Sequence, residues 1–231
     1  DELDADCPVI ILAHEFFDAM PIHKFQKTER GWCELFVEMD TNIGTEHHFK
    51  FVAHSRPTIR NVLTVDARLQ AAKVGDYYES SPKTLLAVDH VMKHINKNKG
   101  AALIIDYGIN EGWVQDSLRG FRKHEEVSAL SCIGETDLTV DVDFPKIQEY
   151  VHSRSAELHV SASPIMTQRD FLIGLGIDVR LIKLLRNVSP EVASQLAAGY
   201  QRLLDPDGMG QQYKCLALFN TSLGLPAPWL S

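Results

Sequence analysis

The chain has 231 residues, of which 45% are hydrophobic and 23% charged, with a formal net charge of −8; it can build a sizeable core as one large domain or two small ones. No Lys/Arg block stands out, which argues against a nucleic-acid footprint and leaves room for a basic, Arg-bearing partner. Four scattered cysteines without a CxxC pair argue against a disulfide framework and fit a reducing compartment.

The chain opens on DELDADCP, which is acidic and has no signal- or transit-peptide character. No apolar run approaches the roughly 18 residues needed to span a bilayer. Val9–Ala13 is a short continuous apolar run and predicts a fully buried strand. Ile22–Lys27 alternates and predicts a second. Trp32–Met39 and His47–His54 flank a polar connection with Asn42 and Gly44, the pattern of a β-hairpin with a longer loop. Arg56 to Asp76 is weakly patterned. Ser81-Pro82 opens a helix over 82–98, because serine caps well and proline suits the first helical position. Leu85, Val88, Met92 and Ile95 give that helix one apolar face, and Gly100 ends it. Ala101–Ile105 follows at once as another buried strand. Helix followed by buried strand is the rhythm of a parallel α/β sheet.

Residues 109–142 read as loop-rich, with Leu118 to Val127 partly ordered at best. Phe144–Arg154 predicts a short helix and Glu157–Ser161 a strand. Thr167-Gln168-Arg169-Asp170 fits a capping box and opens a helix through Leu175. Gly174 and Gly176 mark a break before 177–186. Ser189-Pro190 starts a helix to about Leu204. Asp205-Pro206-Asp207-Gly208 is a turn cluster, and Tyr213–Phe219 is the last strand. The tail 221–231 is Pro-rich and expected to be loosely attached. With no repeat, low-complexity segment or linker, a single domain over 1–231 is the expectation.

Two strand ends draw attention. His14-Glu15-Phe16-Phe17-Asp18 follows the first apolar run, and Asp106-Tyr107-Gly108 follows the run at 101–105. Ligands bind at the carboxyl edge of open α/β sheets. Glu15 and Asp18 can grip a guanidinium through charge-assisted hydrogen bonds, and Phe16 and Phe17 can wall an alkyl stem or flat ring. The plain alternative makes the acids turn or cap residues and the phenylalanines core. Asp106 either belongs to the same site or caps a turn, with Gly108 supplying a positive φ. His90 and His94 have metal spacing but no HExxH glutamate and no evident third ligand. The acids at 135, 137, 141 and 143 lack calcium-loop spacing, although Asp143 is placed to cap the helix after it. There is no Walker-type loop and no GxSxG elbow.

Taken in order, HEFFDAMPIHKF (14–25), GAALIIDYG (100–108), LRGFRKH (118–124), GETDLTVDVDF (134–144), TQRDFLIGLGIDVRLIKLL (167–185) and DPDGMGQQYKCLALF (205–219) resemble the MidA family over nearly the whole chain. The resemblance implies an α/β fold, the C-terminal part of a Rossmann-like class I S-adenosylmethionine-dependent methyltransferase, with a β-hairpin insertion near 31–54. It implies protein arginine methyltransferase activity with S-adenosyl-L-methionine as methyl donor. It also implies symmetric dimethylation of an arginine on a complex I subunit, supporting complex I assembly in the mitochondrial matrix. Ala13 and His14 would lie against the methionine part of the donor. Glu15, and secondarily Asp18, would hold the arginine, with Phe16, Phe17, Asp106 and Tyr107 around it.

Two departures from the family stand out. His14 occupies a position where the family block reads Asn. The glycine-rich donor loop and the ribose-binding acid have no counterpart here, so the expectation is an incomplete domain that begins at the family's fourth strand. A non-catalytic module that binds a partner through its hairpin and acidic surface is the alternative from a different class.

Overall fold

The structure, a computed structural model, describes residues 7–41, 48–55, 58 and 66–229. In chain order the elements begin with β1 (Ile10–His14), β2 (His23–Thr28), β3 (Gly31–Met39) and β4 (Phe49–Ala53). A 3-10 turn at Ala67–Ala71, β5 (Tyr77–Ser80), α1 (Pro82–Asn98) and β6 (Ala101–Ile109) follow. Next come β7 (Arg119–Arg122), β8 (Glu125–Val127), β9 (Asp137–Thr139), β10 (Val142–Asp143), α2 (Phe144–Leu158), β11 (Val160–Ala162) and β12 (Met166–Thr167). The last are α3 (Gln168–Gly174), α4 (Ile177–Leu184), α5 (Pro190–Leu204), α6 (Met209–Gln212) and β13 (Tyr213–Asn220). The described residues cluster into two compact units, one from the ranges 1–17, 85–110 and 143–231, the other from 18–84 and 111–142.

In the first unit β1 and β6 pair in parallel, from Ile10 opposite Ala101 to His14 opposite Ile105. β13 runs antiparallel to β6, with Tyr213 opposite Tyr107 and Phe219 opposite Ala101. β11 is antiparallel to β13 in turn, giving the order β1-β6-β13-β11. The antiparallel strand therefore starts where the parallel strands end.

Helix α1 buries Val88, Met92 and Ile95, the stripe its spacing predicts. Its exit differs from the expectation for Gly100. Lys99 takes the left-handed conformation, φ 51°, and Gly100 is needed for close approach. A Cβ there would lie 2.1 Å from the Val9 carbonyl oxygen, the group that accepts the Ala101 N–H at 2.9 Å.

Alternation along β6 divides the sheet into two faces. Ala102, Ile104 and Asp106 lie on one face and are buried. Ala101, Leu103 and Ile105 lie on the other, packed with Cys215, Ala217 and Phe219 of β13, Phe171 of α3 and Trp229. The Trp229 ring is 5.4 Å from that of Phe171. The tail, expected to be loosely attached, is thus docked by an indole against the sheet.

Strand β1 also corrects its expectation. Ile10 is 87% and Leu12 64% exposed. A continuous apolar run reports that both faces of a strand are apolar, and the described residues cover only one.

Helix α2 runs past the expected Arg154 to Leu158, so Glu157 is helical and the next strand begins at Val160. The helix ends on left-handed His159, φ 50°, with no glycine to announce it. Asp143 caps its start by accepting the Lys146 N–H at 2.9 Å. Thr167 and Ser189 cap α3 and α5 as their sequences predict, and Gly176, φ 76°, separates α3 from α4.

The second unit holds an antiparallel sheet in the order β4-β3-β2-β5. The expected hairpin pairs from Leu35 opposite Ala53 to Met39 opposite Phe49. Asn42, Gly44 and His47 lie outside the described residues, as does most of 56–65. Phe25, Leu69 and Tyr78 form the core with Trp32 and Trp113.

The stretch 109–142 is more ordered than its composition suggests, because β7 pairs with both β8 and β9. Its tight turn uses Lys123 and His124, φ 53° and 67°, where a hairpin of this kind ordinarily carries Asn-Gly.

Buried Lys24 joins the strands of this unit. Its ammonium donates to Glu79 at 2.8 Å and to Asp116. Glu79 also accepts the N–H and O–H of Ser117, at 3.1 and 2.5 Å, and the Leu118 N–H at 3.2 Å. Burial disfavours the Lys24 charge, but hydrogen bonds to Asp116 and Glu79 outweigh it and raise its pKa.

Candidate active site

The carboxyl ends of β1 and β6 and the amino end of β13 meet in the first unit. The chain leaves β1 through Glu15, whose N–H donates to the Ile105 carbonyl at 3.1 Å. Glu15 sits at φ 48°, a conformation that costs a non-glycine residue on the order of 1–2 kcal/mol. Such strain persists only where neighbours over-determine it, and it collects at functional sites.

The neighbour that fixes it is Asp106, which is fully buried. One oxygen, Oδ2, accepts the N–H groups of Phe16 and Phe17 at 3.1 and 3.0 Å. Oδ1 accepts the Tyr107 N–H at 3.0 Å. A single carboxylate thereby ties the loop after β1 to the end of β6. The sequence offers Asp106 as a substrate contact or a turn cap, and here it accepts three backbone amides.

The two phenylalanines separate. Phe17 is buried and belongs to the core, which corrects its assignment as a pocket wall. Phe16 is 50% exposed and packs edge-on against Phe17 at 5.2 Å. It alone of the pair remains available to a ligand.

Alternation separates the two donor candidates as well. Ala13 pairs with Ile104 and is half-buried, whereas His14 pairs with Ile105 and is exposed. Glu15 is exposed too.

Asp18 belongs to the second unit. Its buried carboxylate accepts the Thr139 hydroxyl at 2.9 Å, and its carbonyl accepts the Val140 N–H at 3.0 Å. Asp18 thus anchors its own loop to the strand end at Thr139.

Tyr213 completes the constellation, and the sequence alone did not mark it. Its hydroxyl donates to Glu15 Oε1 at 2.5 Å across 198 residues of chain. Its ring meets Tyr107 edge-on at 5.0 Å and His14 at 6.4 Å. Burial and the neighbouring Glu15 carboxylate hold the phenol well above the ordinary tyrosine range. The antiparallel register of β13 is what brings it here, and only the paired sheet reveals that.

His90 and His94 are both exposed, and among the described residues no group of three His, Cys, Asp or Glu side chains is placed to hold a metal. No helix among them is long and apolar enough to cross a membrane.

An open α/β sheet with an inserted antiparallel strand, and a strained acidic loop at its carboxyl edge, define a Rossmann-like fold with its candidate site where such folds bind ligands. Residues 1–162 match the family described as "Putative S-adenosyl-L-methionine-dependent methyltransferase", and the chain belongs to that family. Its curated relatives agree with the MidA resemblance. The chain is 37% identical over 213 residues to "Protein arginine methyltransferase NDUFAF7, mitochondrial" of Danio rerio, covering 92% of this chain and 48% of that protein. It is 37% identical to the Homo sapiens protein of the same name, covering 90% and 44%. The chain thus spans about half the length of these relatives. A crystal structure of a Burkholderia thailandensis protein bound to S-adenosyl-homocysteine superposes with a TM-score of 0.75 and 25% identity, covering 96% of this chain and 56% of that one.

Proposed function

We propose that this chain supplies the arginine-holding side of a protein arginine methyltransferase that modifies a complex I subunit in the mitochondrial matrix, by symmetric dimethylation. The observation that carries this reading is the Glu15 carboxylate. It is exposed at the carboxyl end of β1, on a strained backbone that Asp106 holds in place. The names of the mitochondrial relatives supply the acceptor residue.

S-adenosylmethionine, when bound, supplies a methyl group to a guanidinium nitrogen: an N–C bond forms, the C–S bond breaks with its electron pair left on sulfur, and the nitrogen's proton passes to water. The chain's own contribution is to bind and orient. Exposed His14 and the backbone at Ala13 offer one side of a donor site. Glu15 accepts N–H bonds from the guanidinium and holds its positive charge, which aims the reacting nitrogen. Half-exposed Phe16 covers the alkyl stem. In this reading Asp18 keeps the loop in shape while Glu15 makes the contact.

The test is methyl transfer from labelled S-adenosylmethionine to complex I subunits by the intact protein, read as dimethylarginine by mass spectrometry. Symmetric dimethylarginine on one subunit is the expected product. Donor binding with no labelled arginine overturns the reading.

Exposed Val37 and Met39 on β3 favour a second reading, a partner-binding module. Capture of a complex I subunit by a protein that does not bind the donor would select it.

A further inference from the structure

We infer that Tyr213 is the positioning residue of Glu15, fixing which way its carboxylate points toward the acceptor; this rests on the methyltransferase reading above. Glu15 leaves β1 into open solvent, and an exposed glutamate ordinarily samples several rotamers. Here one oxygen is held by the Tyr213 hydroxyl at 2.5 Å. The tyrosine is itself packed in place. It is only 7% exposed, it begins the central antiparallel strand, and its ring is flanked by Tyr107 at 5.0 Å and His14 at 6.4 Å.

With Oε1 occupied by the phenol, Oε2 is the oxygen turned out for a guanidinium. The left-handed backbone at Glu15 brings the carboxylate within reach of a tyrosine on a strand two places away in the sheet. The pairing is thus a device that costs backbone strain and returns orientation. Tyr213 acts through Glu15.

Two variants separate this role from packing. Tyr213→Phe keeps the ring contacts and removes one hydroxyl. In the intact protein it should lower kcat for arginine methylation about 10- to 100-fold, the scale set by a misplaced reacting group, with donor affinity and thermal midpoint little changed. On a Glu15→Ala background the same change should add almost nothing, because its hydrogen-bond acceptor is already gone. An independent readout needs no activity: in 13C-tyrosine-labelled protein at neutral pH, Glu15→Ala should change the Tyr213 Cζ chemical shift, because the hydroxyl loses its acceptor.

Full turnover in Tyr213→Phe, additive losses in the double variant, or an unchanged Tyr213 Cζ chemical shift would each overturn the assignment. Wild-type protein that binds the donor and methylates no arginine would instead overturn the reading beneath it.

Discussion

The two units each contain a cluster of charged side chains, and the clusters are built on opposite terms. Around Lys24 the charges are paired, with Asp116 at the exposed rim. A buried ammonium, buried Glu79 and the amides and hydroxyl that Glu79 accepts account for one another. Around Glu15 the buried member, Asp106, accepts three backbone amides, while the exposed member, Glu15, accepts the Tyr213 hydroxyl through one oxygen and sits on strained backbone. Charge and burial alone would rank the Lys24 cluster as the more notable. Unfinished hydrogen bonding together with strain singles out Glu15. A buried polar network that satisfies itself is architecture; one that leaves an acceptor open is a place for a ligand.

The largest expected effect belongs to the closed cluster. Glu79→Ala leaves the buried Lys24 ammonium with Asp116 alone and strands the Ser117 and Leu118 donors, and should cost about 3–5 kcal/mol of unfolding free energy by urea denaturation. A loss under about 1 kcal/mol would break the contrast, because it would mean the cluster is already hydrated.

Next is the buried half of the candidate site. Asp106→Asn turns an amide group toward backbone N–H donors and should cost about 1.5–3 kcal/mol. Hydrogen exchange should speed up at Phe16 and Phe17 before it does elsewhere, and uniform acceleration would deny Asp106 its local role.

The pH dependence is smaller and its sign is fixed. The Tyr213 phenol titrates higher in the folded chain than in the unfolded one, through burial and Glu15. Its contribution is complete below the ordinary phenol pKa of about 10 and is lost as pH rises beyond it, because the unfolded chain gives up its proton first. Lys24 acts in the same direction. Urea melts across that range should show falling stability, with a shallower slope in Tyr213→Phe. Identical slopes would mean that the phenol titrates alike in the folded and unfolded chain.

The smallest effect is chemical. Cys7 and Cys132 are exposed, whereas Cys33 and Cys215 are buried, and burial pushes the Cys215 thiol up to about 12. A thiol reagent at mildly alkaline pH should modify the first two quickly and the others only on unfolding. Fast labelling of Cys215 would mean that its core packing is open.

Much of the sheet was legible from the chain. Apolar runs ending in acid-aromatic clusters, the 3.6-residue stripe of the helix at 82–98 and three Ser, Thr or Asp caps are local signals, and local signals survive in a sequence. Coverage was not legible. Ile10 and Leu12 look like core because apolar character is local, while exposure depends on what packs above them. The hairpin at 119–127 was missed because Lys123-His124 adopts positive φ without glycine. The site was half legible. Glu15 could be placed from the strand end, but Phe16 and Phe17 could not be told apart, since their difference is one of burial. Asp106 could be placed at the strand end, but its backbone-amide partners, 89 and 90 residues away, depend on strand pairing. Tyr213 carried no signal, because its partner is 198 residues away and their meeting depends on strand order.

The central claim is that Glu15 is the open acceptor for an arginine. Glu15→Gln keeps the shape and an oxygen for Tyr213 but removes the charge. Measured on the intact protein, methyl transfer to the substrate arginine should fall about 30- to 1000-fold, the loss of about 2–4 kcal/mol of transition-state stabilisation. Donor affinity and melting temperature, measured in parallel, should hold. Near-normal turnover would contradict the account, and an equal loss of donor affinity and turnover would move Glu15 from the arginine to the donor.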